Sequence, residues 1–102
     1  MKEAKDCKSI EEIREAIDEI DNQILASFGK RMEYVHEIVK FKSTEDGIVA
    51  RDRQLEVFRK IRERAGNFKL DPNLYEEIYR TLINWNIEKE MQIFKNKEEA
   101  NI

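Results

Sequence analysis

Arg31 and Lys42 are the first residues whose spacing suggests chemistry. They stand eleven positions apart. On one continuous helix that leaves them about 20° apart around the axis and about 16 Å apart along it. Both side chains are long, so their cationic heads can converge on one small anion, and a guanidinium fork suits a carboxylate. Arg14 is a different case. It precedes Arg31 by seventeen positions, about 25 Å along the same rod, too far to reach a ligand that Arg31 holds. In an antiparallel pair of chains, Arg14 of one chain reaches the site of the other. Against this stands the plainer reading. The chain carries 19 Lys and Arg, and basic residues on amphipathic helices are mostly solvated, so spacing alone gives a hypothesis and not a site.

Other reactive side chains offer less. Cys7 is the single cysteine, so no intrachain disulfide forms and a reducing compartment is the simplest setting. A reactive thiol needs an activating neighbour, and Cys7 just ahead of the first helix reads as structural. His36 is the only histidine; nothing in the sequence pairs with it, and it reads as a surface or interface residue. There is no metal-ligand constellation, no Gly-rich phosphate loop and no Ser-His-Asp set. Trp85, Phe58 and Phe28 read as core, and Met32 and Met91 as gap-filling core residues.

The elements that must position these residues follow from composition and pattern. The 102 residues make one domain. Charged and hydrophobic residues each contribute 40%, with only 3 Gly and 1 Pro, which suits long amphipathic helices. The net charge is -3 with both signs interspersed, and the lack of a basic excess argues against nucleic acid. The N-terminus has no apolar leader-like stretch, and no apolar run approaches membrane length. A soluble, cytoplasmic protein with no membrane association is expected.

Ser9 followed by Glu12 is a capping box that opens a first helix. Ile13, Ile17, Ile20, Ile24, Phe28, Val35 and Ile38 then recur mostly in steps of three or four, and the spacing predicts a helix over 10–42. Ser43 to Gly47 reads as a polar loop. A second helix is predicted over 49–65, with Leu55, Phe58, Ile61 and Ala65 on one face and Gly66-Asn67 as its stop. Asp71-Pro72 opens a third, predicted over 72–96. Its face carries Leu74, Ile78, Leu82 and Trp85, then Ile87, Met91 and Phe94, and a polar tail frays beyond it.

Length then carries an implication. A first helix of about 33 residues is about 50 Å long. A compact chain of this size has a radius of gyration of about 13 Å. The helix must project beyond its own domain, and its apolar stripe needs cover. The same stripe of a second copy supplies it.

Taken in order, Ile13-Arg14-Glu15-Ala16-Ile17-Asp18-Glu19-Ile20-Asp21, Arg31-Met32-Glu33-Tyr34-Val35, Phe41-Lys42 and Arg53 resemble the helical chorismate mutase family. Asp6-Cys7, Tyr34-Val35, Phe41-Lys42 and Trp85 resemble its isochorismate pyruvate lyase branch. The resemblance covers nearly the whole chain and implies a single domain over 1–102. The implied fold is all-α, with three helices, long-short-long, intertwined in an obligate homodimer with two sites. It also implies pericyclic chemistry on a small dicarboxylate, chorismate or isochorismate, with no cofactor. By the same resemblance, Arg14 of the partner chain and Arg31 bind the substrate carboxylates. Lys42 lies beside the breaking ether bond, and Arg53 braces the carboxylate side of the pocket. Glu90 falls where a Gln usually donates to the ether oxygen, and Asn86, one turn earlier on the same face, lines the pocket.

Two departures from the family pattern bear on the substrate. Chorismate mutases commonly place acidic side chains near the start of the second helix to receive a ring hydroxyl; here those positions are Ala50 and Gln54. Ala50 cannot accept a hydrogen bond, and Gln54 is a neutral substitute, which tilts the reading towards isochorismate. Glu90 is the other departure. An ionised carboxylate only accepts hydrogen bonds, so a donating Glu90 is protonated, and turnover then rises as pH falls. The best reading is an isochorismate pyruvate-lyase making salicylate and pyruvate. Its rivals are a chorismate mutase making prephenate, a mutase acting on an amino analogue and, from another class, a non-catalytic helical dimer that binds an aromatic-pathway acid.

Overall fold

The computed structural model describes residues 2–100. Four α-helices make up most of it: α1 (Ile10–Ile38), α2 (Glu45–Val49), α3 (Arg51–Asn67) and α4 (Pro72–Ala100). The chain divides into a first compact unit up to Tyr34 and a second from Val35.

The first unit opens with a single 3₁₀ turn, Ala4–Asp6. Ser9 caps α1 as its sequence suggests, accepting from the Glu12 N–H at 3.1 Å. The return half of the box is displaced by one residue, because the Glu12 carboxylate accepts from the Lys8 N–H at 2.9 Å. The 29 residues of α1 span about 44 Å. None of them is buried. Ile13, Ile17, Ile20 and Ile24 are each 42–50% exposed, so one chain leaves this apolar stripe open to water.

The first helix ends four residues earlier than its periodicity predicts. Val39–Phe41 form a 3₁₀ turn, and Lys42 follows in extended backbone (φ -101°, ψ 132°). Burial of Val39 with Ile48 and Phe94 draws the chain off the helix, and a tighter bond closes its end. The Lys42 N–H bonds to the Val39 carbonyl at 3.1 Å, three residues back and not four, which tightens and closes the helix end. The eleven-residue helical spacing of Arg31 and Lys42 therefore does not hold.

The expected polar loop is largely helical. Thr44 caps α2 by accepting from the Gly47 N–H at 3.0 Å, and Glu45 and Asp46 lie in the first turn, where acidic side chains suit the helix dipole. Ala50, in the left-handed conformation (φ 46°, ψ 61°), ends α2 and begins α3. This break moves the start of the second long element from residue 49 to 51.

Its end also moves. Gly66 stays helical, since no glycine has positive φ, and Lys69 takes the left-handed position instead (φ 61°). The Leu70 N–H bonds to the Ala65 carbonyl at 2.8 Å and the Lys69 N–H to the Gly66 carbonyl at 3.1 Å, the pair that defines a Schellman cap. Asp71 then caps α4 through the Asn73 N–H at 2.9 Å. α4 continues to Ala100, four residues past the expected fraying point.

In the second unit α3 packs antiparallel on α4, while α2 and the 3₁₀ turn pack on α4 nearer its C-terminal end. The register shows in two pairs. The Arg80 guanidinium lies 4.2 Å from the Phe58 ring centroid, and Arg62 meets Glu76 at 3.3 Å. Val39, Ile48 and Phe94 form a buried cluster flanked by Ile87, Met91 and Ile93. The buried line of α4 is Ile83, Asn86, Glu90 and Phe94. Leu74, Ile78 and Trp85 are exposed, as is Leu55 on α3, contrary to the predicted faces. A helix this apolar offers two lines at helical spacing, and α2 and α3 cover only one. Among the described residues no helix is long and apolar enough to cross a membrane.

Candidate active site

Of the seven residues singled out from sequence, Lys42, Arg53, Gln54, Asn86 and Glu90 belong to the second unit, and Arg14 and Arg31 to the first. Lys42 leaves the 3₁₀ turn with its side chain half-buried, and its ammonium donates to the Gly47 carbonyl oxygen at 2.7 Å. Val39 and Ile48, on either side of Lys42 in sequence, are buried with Phe94. The turn that carries Lys42 is thereby anchored over the part of α4 that carries Glu90.

Asn86 and Glu90 sit one turn apart on α4, 3% and 8% exposed. Two buried polar side chains on one apolar line are costly unless hydrogen-bonded. Among the described residues no buried side-chain nitrogen or oxygen lacks a partner, so both are satisfied. Both are residues that the sequence reading placed in a pocket.

Gln54 has a structural task. Its amide nitrogen donates to the Val49 carbonyl oxygen at 2.7 Å, satisfying an end of α2 that Ala50 leaves open. Its amide oxygen remains an acceptor. The antiparallel register of α3 carries Gln54 towards the turn of α4 that holds Ile83 and Asn86. Arg53 points elsewhere. Its guanidinium donates to Glu56 at 2.8 Å and is largely exposed. Glu56 also accepts from Lys60 at 2.8 Å, and Lys60 first, then Arg53, hold its carboxyl below the usual range. An ion pair this exposed is weak, so Arg53 is readily released to a competing carboxylate. A concavity of about 500 Å³ opens beside it, lined by Asp46, Val49, Ala50, Arg51, Asp52 and Arg53.

In the first unit Arg14 is exposed and Arg31 half-buried on α1. They lie on one unbroken helix, about 25 Å apart, so a single small ligand cannot bridge them within one chain. Among the described residues no group of three or more His, Cys, Asp and Glu is placed to hold a metal ion. The arrangement in the second unit supplies a fixed cationic donor, a neutral amide and a buried carboxyl. An ammonium and an amide can donate to an oxygen, and a carboxyl can do so when protonated.

Sequence reasoning missed Gly47, whose carbonyl receives the Lys42 ammonium, and Thr44, which caps α2 through the Gly47 N–H. A signal was present: Thr followed by two acidic residues is a helix start, but the short helix it opens shows no periodicity. His36 is exposed, as expected, and Phe58 is buried. Trp85 is 55% exposed, with the Lys89 ammonium 4.8 Å from its ring centroid.

Comparison with known proteins adds two findings. The family model described as chorismate mutase type II matches residues 13–91. The chain is 32% identical over 100 residues to the isochorismate pyruvate lyase of Pseudomonas aeruginosa, covering 98% of this chain and 99% of that protein.

Proposed function

This chain belongs to the chorismate mutase type II family, and we propose that within it the chain is an isochorismate pyruvate-lyase, converting isochorismate to salicylate and pyruvate. The observation that carries this reading is the end-to-end likeness to a protein of that name. The neutral residues Ala50 and Gln54 at the head of α3 favour the same substrate.

In the proposed reaction the ring-to-oxygen ether bond breaks and a ring hydrogen passes to the methylene carbon of the departing enolpyruvyl group. The ring becomes aromatic and the side chain leaves as pyruvate, so atoms and electrons balance without a co-reactant. Negative charge grows on the ether oxygen. The Lys42 ammonium, held by Gly47, is the donor that meets it, and such preorganised donors act on the transition state. Glu90 is the second donor, as the neutral acid. Glu90 is buried on α4, and only a protonated carboxyl keeps an O–H to donate. As the resemblance implies, Arg31 and Arg14 of a second copy take the substrate carboxylates, Arg53 braces that side of the pocket, and Gln54 and Asn86 meet the ring polar groups.

Arg14 completes the site from a second copy of the chain. Two observations support a homodimer. The apolar stripe of α1 is uncovered in one chain, and Arg14 and Arg31 are too far apart to share a ligand. Purified protein given isochorismate or chorismate separately tests the reading. Salicylate and pyruvate in equal amounts from isochorismate are expected. The family match supports a second reading, a chorismate mutase, which forms prephenate from chorismate and no salicylate. Absence of product from both substrates overturns both readings.

A further inference from the structure

We propose that Thr44 is a positioning residue for Lys42, acting through Gly47. The proposal rests on the catalytic reading of Lys42 given above. Gly47 joins two peptide planes, and Thr44 holds both. Its hydroxyl oxygen accepts from the Gly47 N–H at 3.0 Å, which orients the plane before Gly47. Its backbone carbonyl accepts from the Ile48 N–H at 3.2 Å. That N–H belongs to the same peptide plane as the Gly47 carbonyl, the group that receives the Lys42 ammonium at 2.7 Å.

Glycine at this place has wide backbone freedom, and a carbonyl attached to it holds a lysine steady only if both planes are fixed from outside. Packing supports the same role. A β-carbon built on Gly47 meets the Thr44 hydroxyl oxygen at 3.2 Å and Lys42 Cδ at 3.8 Å, so the three residues are in close approach. Ile48, 2% exposed, anchors the far side of the second plane in the core. Thr44 touches no reacting atom in this scheme; it sets where the ammonium stands.

Thr44→Val and Thr44→Ser form the test. The backbone of Thr44 is extended (φ -140°, ψ 158°), a conformation valine favours, so Thr44→Val removes the accepting oxygen and keeps the shape. The first readout is the NMR signal of the Lys42 ζ-ammonium in protein carrying ¹⁵N-lysine, assigned by its loss in Lys42→Arg. In the wild type a distinct, slowly exchanging signal is expected. In Thr44→Val it moves to the position of solvated lysines, and in Thr44→Ser it returns. The second readout is kinetic. A misplaced donor lowers kcat by about 10–10²-fold, with KM changed by less than about threefold, and Thr44→Ser restores kcat. A wild-type ζ-ammonium signal in Thr44→Val overturns the proposal, as does an equal loss in Thr44→Ser. Full turnover by Lys42→Ala overturns the catalytic reading instead, while the ζ-ammonium signal of Thr44→Val still decides whether Thr44 positions Lys42.

Discussion

The Lys42 ammonium is tied to the Gly47 carbonyl oxygen, 2.7 Å away and five residues further along the chain. One hydrogen bond to a backbone carbonyl leaves two ammonium protons for a ligand. The charge is held in place without being neutralised, as a donor to a developing oxyanion requires. Lys42→Ala is expected to lower kcat with isochorismate by about 10²–10³-fold, while the far-UV circular dichroism stays helical. Wild-type turnover in this variant sinks the role.

Glu90 gives the second prediction, through the pH dependence of turnover. If the neutral acid is the working form, kcat falls as pH rises through the Glu90 titration in the complex. Glu90→Gln keeps the donor and removes the titration, so its profile flattens over that range. The profile is followed by salicylate fluorescence between about pH 4 and 8. A Glu90→Gln profile that parallels the wild type refutes the assignment.

Arg14 allows a test of shared sites. Arg14→Ala and Lys42→Ala are each expected to be nearly inactive alone. Mixed under conditions that exchange subunits, they form heterodimers in which one site has both residues intact and the other has neither. Statistical exchange then restores about one quarter of wild-type activity. No recovery, in a mixture shown to have exchanged, means that Arg14 acts within its own chain.

Lys69 carries a cost that can be removed. A non-glycine residue in the left-handed region loses roughly 1–2 kcal/mol, and the greater freedom of unfolded glycine offsets about 0.4–1 kcal/mol of the gain. Lys69→Gly is expected to stabilise the protein by about 0.5–1 kcal/mol, read from the urea midpoint. Lys69→Ala keeps the strain and serves as control; equal midpoints in the two variants contradict the cap.

Glu76 links α3 to α4. It accepts from Arg80 at 2.9 Å and from Arg62 at 3.3 Å. The bond from Arg80 chiefly draws its carboxyl below the ordinary value; desolvation opposes it, and Arg62 adds a lesser lowering. A carboxyl that holds its proton less tightly when folded stabilises the fold above its unfolded pKa. That contribution is lost as pH falls through the folded value. The urea midpoint of the wild type should therefore fall more steeply through the acidic range than that of Glu76→Gln. Parallel curves mean that the clamp contributes nothing.

Much of this was legible in the residues themselves. The helical class follows from the three- and four-residue steps of the isoleucines in α1 and from the scarcity of glycine and proline. Ser9, Asp71 and Pro72 mark helix starts because capping is local chemistry between residues two or three apart. The separation of Arg14 from Arg31 follows from helix rise alone. The break at Val39–Phe41 was hidden, because the apolar pattern continues through it; only the burial of Val39 and Ile48 against Phe94 draws the chain out of α1. Gly66 looked like the stop of α3, and the left-handed residue is Lys69, because the cap forms where the chain must turn to lay α4 back on α3. Which line of α4 is buried was likewise a tertiary decision. Leu74, Ile78 and Trp85 are as well spaced as Ile83, Asn86, Glu90 and Phe94, and packing by α2 and α3 selects the second set. That selection buries Asn86 and Glu90, and the bond to Gly47 gives the Lys42 ammonium a fixed place.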